Sequence, residues 1–185
     1  MDIRERVLGP DHPDTATSYN NIGVFYRIRG DYAKALKYHR KALDIRERVL
    51  GLDHPDTAHS YNNIGVFYRK QGDYDKALEY LEKALDIRER VLGIDHTDTA
   101  WSYNNIGQVH DNQGDYAKAL EYYKKALDIW ERALGPDHPN TKTVRKNIKN
   151  CRKKMRGWIY VFVTAIIDKI RSPFSNQRKN NNGFN

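Results

Sequence analysis

The sequence predicts an all-α solenoid of stacked helix pairs, and three observations lead to that prediction. The segment that begins at Asp14 returns at Asp56 and again at Asp98, a spacing of 42 residues. A fixed period of this length is typical of stacked supersecondary units. Within each period, apolar residues recur at three- and four-residue steps, which is the period of a helix. Gly-Asp and Asp-His pairs interrupt these stretches and divide each repeat into two helices.

The first helix of the first repeat is predicted from about Asp14 to Arg29. Asp14 is the predicted N-cap, because its carboxylate can accept hydrogen bonds from the free backbone N–H groups of the first turn. Tyr19, Ile22 and Tyr26 are three or four residues apart and therefore share one face. This face is expected to pack on the second helix.

The second helix is predicted over residues 32–50, with Gly30 ending the preceding helix and Asp31 capping the new one. Its apolar residues form a stripe of helical period and not the alternation of a strand. Gly23 and Ala35 lack bulk where the two helices should cross. We therefore expect a close approach of the two backbones at this point.

The repeat resembles the tetratricopeptide repeat, and its longer second helix resembles the 42-residue repeats of the kinesin light chain and its relatives. This resemblance covers roughly residues 1–150 and implies a right-handed superhelix that binds other proteins without catalysis. The residues that carry the resemblance are Tyr19, Ile22, Gly23, Tyr26, Gly30, Tyr32, Ala35 and Ala42, together with the Tyr-Asn-Asn-Ile-Gly core and the Asp-His-Pro-Asp turn.

The repeat pattern divides the chain into an array and a C-terminal segment of different composition. The net charge of +8 belongs to the C-terminal part, since residues 1–137 carry −3 and residues 138–185 carry +11. The predicted parts are an array over 1–157, with helix pairs at 14–51, 56–93 and 98–135 and a basic capping helix at 140–157, then an apolar helix at 158–171 and a disordered tail at 172–185.

The apolar segment over residues 158–167 is too short for a bilayer-spanning helix, which needs about 20 residues. We expect the last helix pair or another copy of the chain to cover it. Membrane contact through residues 142–170 is the alternative, because cations beside an apolar anchor favour anionic lipids. That alternative would make the protein a peripheral membrane scaffold. Self-association through the open ends of the array is a further expectation.

Several function classes are not expected. The sequence has no recognisable catalytic constellation or glycine-rich phosphate loop, so we expect no enzyme and no cofactor. His12, His54, His96 and His138 lie one per repeat and do not converge as metal ligands should, so no metal site is predicted. The basic run lacks the aromatic residues that stack on bases, which argues against nucleic acid. A single cysteine, Cys151, is typical of a reducing compartment and predicts a cytoplasmic protein.

The resemblance also implies a groove, lined by the first helices, that binds an extended peptide. In such a groove an asparagine ladder can donate to and accept from a peptide backbone. Cations near the first two repeats favour acidic ligand residues, and Asp111 weakens that preference at the third. The predicted groove residues are Asn20, Arg27, His59, Asn62, Arg69, Lys70, Trp101, Asn104, Gln108 and Asp111.

Overall fold

The computed structural model describes the backbone of residues 3–180 and the side chains of residues 5–167 and 169. The described backbone is almost entirely helical and contains no strand, so the predicted all-α class is confirmed. Eight helices follow one another in this part of the chain: α1 (Ile3–Leu8), α2 (Pro13–Ile28), α3 (Tyr32–Leu50), α4 (Pro55–Gln71), α5 (Tyr74–Val91), α6 (Thr97–Gln113), α7 (Tyr116–Leu134) and α8 (Pro139–Asn180).

The helices stack in chain order as pairs. The tightest associations are α2 with α3, α4 with α5, and α6 with α7, and each second helix also packs on the first helix of the next pair. One buried cluster extends from Leu43 to Val109 across four helices, α3 to α6, and a second joins Ala100 to Cys151 across α6, α7 and α8. The core is therefore a stripe in which each pair contacts its neighbours, as in a solenoid.

The first helices begin at a histidine cap. His54 is the N-cap of α4, and its Nδ1 accepts from the Asp56 N–H at 3.1 Å, with Pro55 at the first helical position. His12, His96 and His138 accept in the same way at the other three first helices. The prediction that Asp14 caps α2 is therefore wrong. Because proline fixes its own backbone in a helical conformation, the helix starts one residue earlier and the histidine occupies the cap.

The predicted close approach of the paired helices is confirmed at three glycines. A Cβ atom added to Gly107 would lie 2.8 Å from Tyr123 Cδ1, and one added to Gly65 would lie 2.6 Å from Leu81 Cγ. At Gly23 the corresponding neighbour is His39 Cε1, also at 2.8 Å. Real Cβ atoms do not approach so closely, so these positions admit no larger residue unless the facing side chain moves.

The C-terminal segment differs from its prediction. The capping helix and the apolar helix are one continuous helix, α8, which also extends through residues 172–180, where disorder was predicted. Between the two predicted helices only Gly157 could interrupt the helix, and a lone glycine weakens a helix without ending it. Residues 181–185 lie outside the described residues.

The last helix pair does not cover the apolar segment of α8, so this part of the expectation is wrong, and cover by another copy of the chain stays a prediction. The side chains of Trp158, Tyr160 and Phe162 are 59%, 72% and 52% exposed. Val161 and Ile166 are exposed as well, so apolar surface lies on every side of the helix. No helix in the described part of the chain is long and apolar enough to cross a membrane.

Candidate peptide-binding site

An open cavity of about 500 Å³ lies between the first helices of the second and third repeats. It includes three of the predicted groove residues, His59 and Asn62 of α4 and Trp101 of α6. The other lining residues are Pro55, Asp56, Val66, Arg88, Asp98 and Asn105. The cavity thus combines apolar, amide and charged side chains, a composition that suits a peptide better than a purely apolar ligand.

Trp101 is the large aromatic side chain of this cavity and is 41% exposed. Its ring meets the buried Trp130 of α7 edge to face, with 5.1 Å between the ring centroids. Trp130 is itself fixed, because its Nε1 donates to the Thr97 carbonyl oxygen at 3.3 Å. Trp130 therefore supports one side of the Trp101 ring, and the rest of that ring faces the cavity.

Arg88 places a positive charge in the wall of the cavity although it belongs to a second helix, α5. Its Nη1 donates to the Asp98 carbonyl oxygen at 3.1 Å and to Ser102 Oγ at 2.8 Å. Burial lowers the pKa of Arg88, and the Asp98 carboxylate partly offsets this effect. An arginine pKa remains far above neutrality after such a shift, so the guanidinium stays charged.

His59 lies beside this charge. Partial desolvation within the cavity lowers the pKa of His59, and the nearby Arg46 and Arg88 lower it further by repelling the protonated form. The side chain nevertheless remains exposed to solvent. The imidazole is thus accessible to a ligand and favours its neutral form, in which one ring nitrogen donates and the other accepts.

The asparagine ladder joins repeat to repeat. Asn105 Nδ2 donates to Asn62 Oδ1 at 2.9 Å, and Asn147 Nδ2 donates to Asn104 Oδ1 at 3.1 Å. Asn104 is only 1% exposed, so it presents no surface to a ligand and is removed from the predicted groove. Asn20 is 7% exposed, accepts from Asn63 of the next repeat and lies outside the cavity lining, so the cavity does not include it.

Asn62 is one of two ladder residues that line the cavity, the other being Asn105. Its Oδ1 accepts from Asn105, and among the described residues no acceptor lies within hydrogen-bond distance of its Nδ2. The amide can therefore donate to a ligand carbonyl without breaking the ladder.

The remaining predicted residues lie further along the first helices and not in the cavity. Arg27 is close enough to Arg69 to lower the pKa of Arg69 slightly, although burial is the main cause of that shift. Arg69 is half-buried, and its Nε has no hydrogen-bond partner among the described residues. Lys70 is exposed and Gln108 is half-buried.

Asp111, the predicted acidic position of the third repeat, is neutralised from α8. Lys154 Nζ lies 3.0 Å from both carboxylate oxygens of Asp111. Sequence reasoning missed this ion pair, because the two residues are separated by 43 positions and belong to helices that meet only in the folded array. The positive character of the first two repeats is therefore not reversed at the third.

Sequence reasoning also missed Arg88 and Trp130, although the repeat carried a signal for both. The same position holds Arg46, Arg88 and Trp130 in the three repeats. The position in contact with it holds Thr17, His59 and Trp101. Both positions become tryptophan in the third repeat, and this paired substitution marks a contact at the wall of the cavity.

Comparison with known proteins places the chain among repeat proteins. Two tetratricopeptide repeat family models match it, one at residues 59–132 and 112–156 and the other at 1–14 and 15–56. None of the curated proteins matches it significantly.

Similar solved structures are kinesin-light-chain-like. They include BtubC (BKLC) from P. vanneervenii, with a TM-score of 0.70 and 21% identity, where the match covers 94% of this chain and 67% of that one. They also include a putative kinesin light chain with nearly identical TPR-like repeats from P. anserina, with a TM-score of 0.71 and 19% identity over 88% and 77% of the two chains. The matched repeats and the stacked helix pairs together show that the chain belongs to the tetratricopeptide repeat family.

Proposed function

We propose that the protein is a non-catalytic interaction module that binds a short, extended peptide in the cavity between α4 and α6. The tetratricopeptide fold supports a protein–protein interaction scaffold in general terms. The observation that carries the finer proposal is Trp101, a half-exposed indole supported by the buried Trp130 at the side of an open cavity. Rigid aromatic anchors of this kind supply much of the affinity in protein interfaces.

The chemistry of the cavity indicates the kind of peptide. An apolar or aromatic ligand side chain would pack on Trp101, and a backbone carbonyl would accept from Asn62. Arg88 in the wall and Lys70 further along the groove favour acidic residues in the ligand, since a charge in a partly desolvated site attracts its opposite more strongly than it would in water. Asp56 and Asp98 lie in the same lining and disfavour a second acidic residue at their end of the cavity.

A displayed peptide library selected on the full chain tests this proposal. Enriched sequences should combine an aromatic or large aliphatic residue with at least one acidic residue. Trp101→Ala should weaken binding of an enriched peptide about 10- to 30-fold in fluorescence anisotropy, which corresponds to a loss of roughly 1.4–2 kcal/mol. Trp158→Ala is the matched control, because Trp158 is an exposed tryptophan on α8, remote from the cavity. Equal affinity of wild type and Trp101→Ala would contradict the proposal.

A second candidate function, peripheral membrane attachment, is supported by the exposed segment over residues 158–167. This segment follows eight cations between Lys142 and Arg156, and the combination suits an anionic lipid surface. The chain should co-sediment with vesicles that contain phosphatidylserine, and Phe162→Asp with Ile166→Asp should abolish this binding. If the chain stays in the supernatant and forms oligomers through this segment, another copy covers it and the membrane assignment fails.

A further inference from the structure

A second open groove lies at the C-terminal end of the array, between α7 and α8. It encloses about 680 Å³. Its apolar surface comes from Leu120 and Leu127 of α7 and from Ile148 and Met155 of α8. Its cations are Lys124, Arg145, Lys149, Arg152 and Arg156, and the lining contains no acidic residue.

The preceding repeat shows which helix would lie against α8 if the array continued with another helix pair. There α6 is covered by α7, and contact is close because Gly107 faces Tyr123. Forty-two residues later the position of Gly107 is taken by Lys149, which is exposed. A second helix of the ordinary repeat type would meet the lysine side chain where it needs a glycine. The groove therefore does not suit another helix of this chain's own repeat.

The charges of the groove are mostly unbalanced. Arg145 forms an ion pair with Glu131 of α7 at 2.6 Å, as expected for a residue within the helix pair. Within the described side chains, no carboxylate forms an ion pair with Lys124, Lys149, Arg152 or Arg156. Four positive charges thus surround an apolar floor, and an occupant must supply both apolar contact and negative charge.

We propose that this groove binds an amphipathic helix of a partner protein, with one apolar row flanked by acidic residues. Two helices side by side form a trough into which a third helix can place its apolar side chains at positions i, i+3, i+4 and i+7. Acidic residues beside that row would pair with Lys149 and Arg152. The apolar floor has no aromatic residue on which a nucleobase could stack, which disfavours nucleic acid. A lipid surface is flat and would not enter the trough.

The test uses a synthetic helical peptide of about 18 residues, or five turns, with leucines in one row and glutamates on both flanks. Two further probes have the same length: one carries lysine in place of glutamate, and one carries a central proline that breaks the helix. Binding to the full-length chain is followed by fluorescence anisotropy. The acidic helix should bind, whereas the basic and the broken peptides should bind at least about 10-fold more weakly.

Charge reversal in the groove provides the decisive comparison. Lys149→Glu with Arg152→Glu should weaken the acidic helix by about 10-fold or more. The matched control is Lys146→Glu with Lys153→Glu, which makes the same change in net charge on α8 outside the lining and should cost less than about threefold. Circular dichroism establishes that both variants are folded.

Three outcomes would overturn the proposal: no binding of the acidic helix, equal losses in the two double variants, or equal binding of the helical and the proline-broken acidic peptides. RNA or phosphatidylserine vesicles could also displace the peptide. If they do so equally well in the two double variants, the cations attract anions in general, and the proposal fails. The result is independent of the cavity at Trp101, because Trp101→Ala should leave the affinity for the acidic helix unchanged.

Discussion

Replacement of Gly107 by alanine tests the close contact on which each helix pair depends. The added Cβ would lie 2.8 Å from Tyr123 Cδ1, 2.9 Å from Tyr123 Cε1 and 3.3 Å from the Ala119 carbonyl oxygen. Tyr123 is 1% exposed, so its ring is enclosed by neighbouring atoms and cannot turn away without losing buried contacts. The backbone of α6 or α7 must shift instead, and such overpacking typically costs about 1–3 kcal/mol.

The helix propensity of alanine offsets part of this cost, because alanine is better than glycine in a helix by roughly 0.5–1 kcal/mol. We therefore expect Gly107→Ala to lower the free energy of unfolding by about 1–2 kcal/mol. The expected fall in melting temperature is about 2–8 °C at roughly 2–4 °C per kcal/mol for a domain of this size.

Urea unfolding followed by circular dichroism at 222 nm measures this loss, together with the midpoint of the thermal transition. Gly157→Ala is the matched control: it makes the same substitution inside a helix where no atom lies within 4 Å of the new Cβ. It should leave stability unchanged or raise it. If Gly107→Ala is as stable as wild type or more so, helix propensity exceeds steric cost and the close-packing argument is refuted.

Two further predictions follow from buried polar side chains. Burial lowers the pKa of His39 from 6.5 to about 4, with smaller effects from Arg27 and His59. The unfolded chain therefore binds more protons than the folded chain in this window, and up to about 3 kcal/mol of stability should be lost as pH falls from 6.5 to 4. His39→Leu should remove this component from the pH dependence of the urea midpoint, and an unchanged pH profile would contradict the assignment. Asn104→Ala should cost about 1 kcal/mol by leaving the Nδ2 of Asn147 without its acceptor, yet it should not change peptide affinity. A loss of peptide binding without a loss of stability would return Asn104 to the groove.

The helices and their pairing could be predicted from the sequence, because they depend on local patterns that recur in each of the three repeats. Asp31 caps α3 as predicted, and its carboxylate accepts from the Lys34 N–H at 3.1 Å. Asp44 and Arg48, which are four residues apart on α3, form an ion pair at 3.8 Å. The one wrong cap, Asp14, arose because His12 and Asp14, on either side of Pro13, could each accept, and only the backbone conformation selects between them.

The candidate site was only partly predictable. Helical spacing placed His59 and Asn62 on one face of α4, and the repeat placed Trp101 at the equivalent position of α6. The structure brings the three residues to one cavity. Spacing could not show how deeply each residue lies, so Asn104 was included although it is buried. It also could not show that Arg88, from a second helix, reaches the same wall. Burial and reach depend on the angle and separation of neighbouring helices, which no single helix specifies.

The C-terminal segment is the clearest case in which the local sequence did not predict packing. Composition identified residues 158–167 as apolar and the preceding helix as basic, and both descriptions hold. Whether the apolar segment folds back was decided by the direction of α8, which continues through Gly157 and extends past the last helix pair. A chain can return to its own core only through a turn. α8 has no strong helix breaker between its basic and apolar parts. Helical hydrogen bonding therefore continues, and the apolar residues remain exposed to solvent.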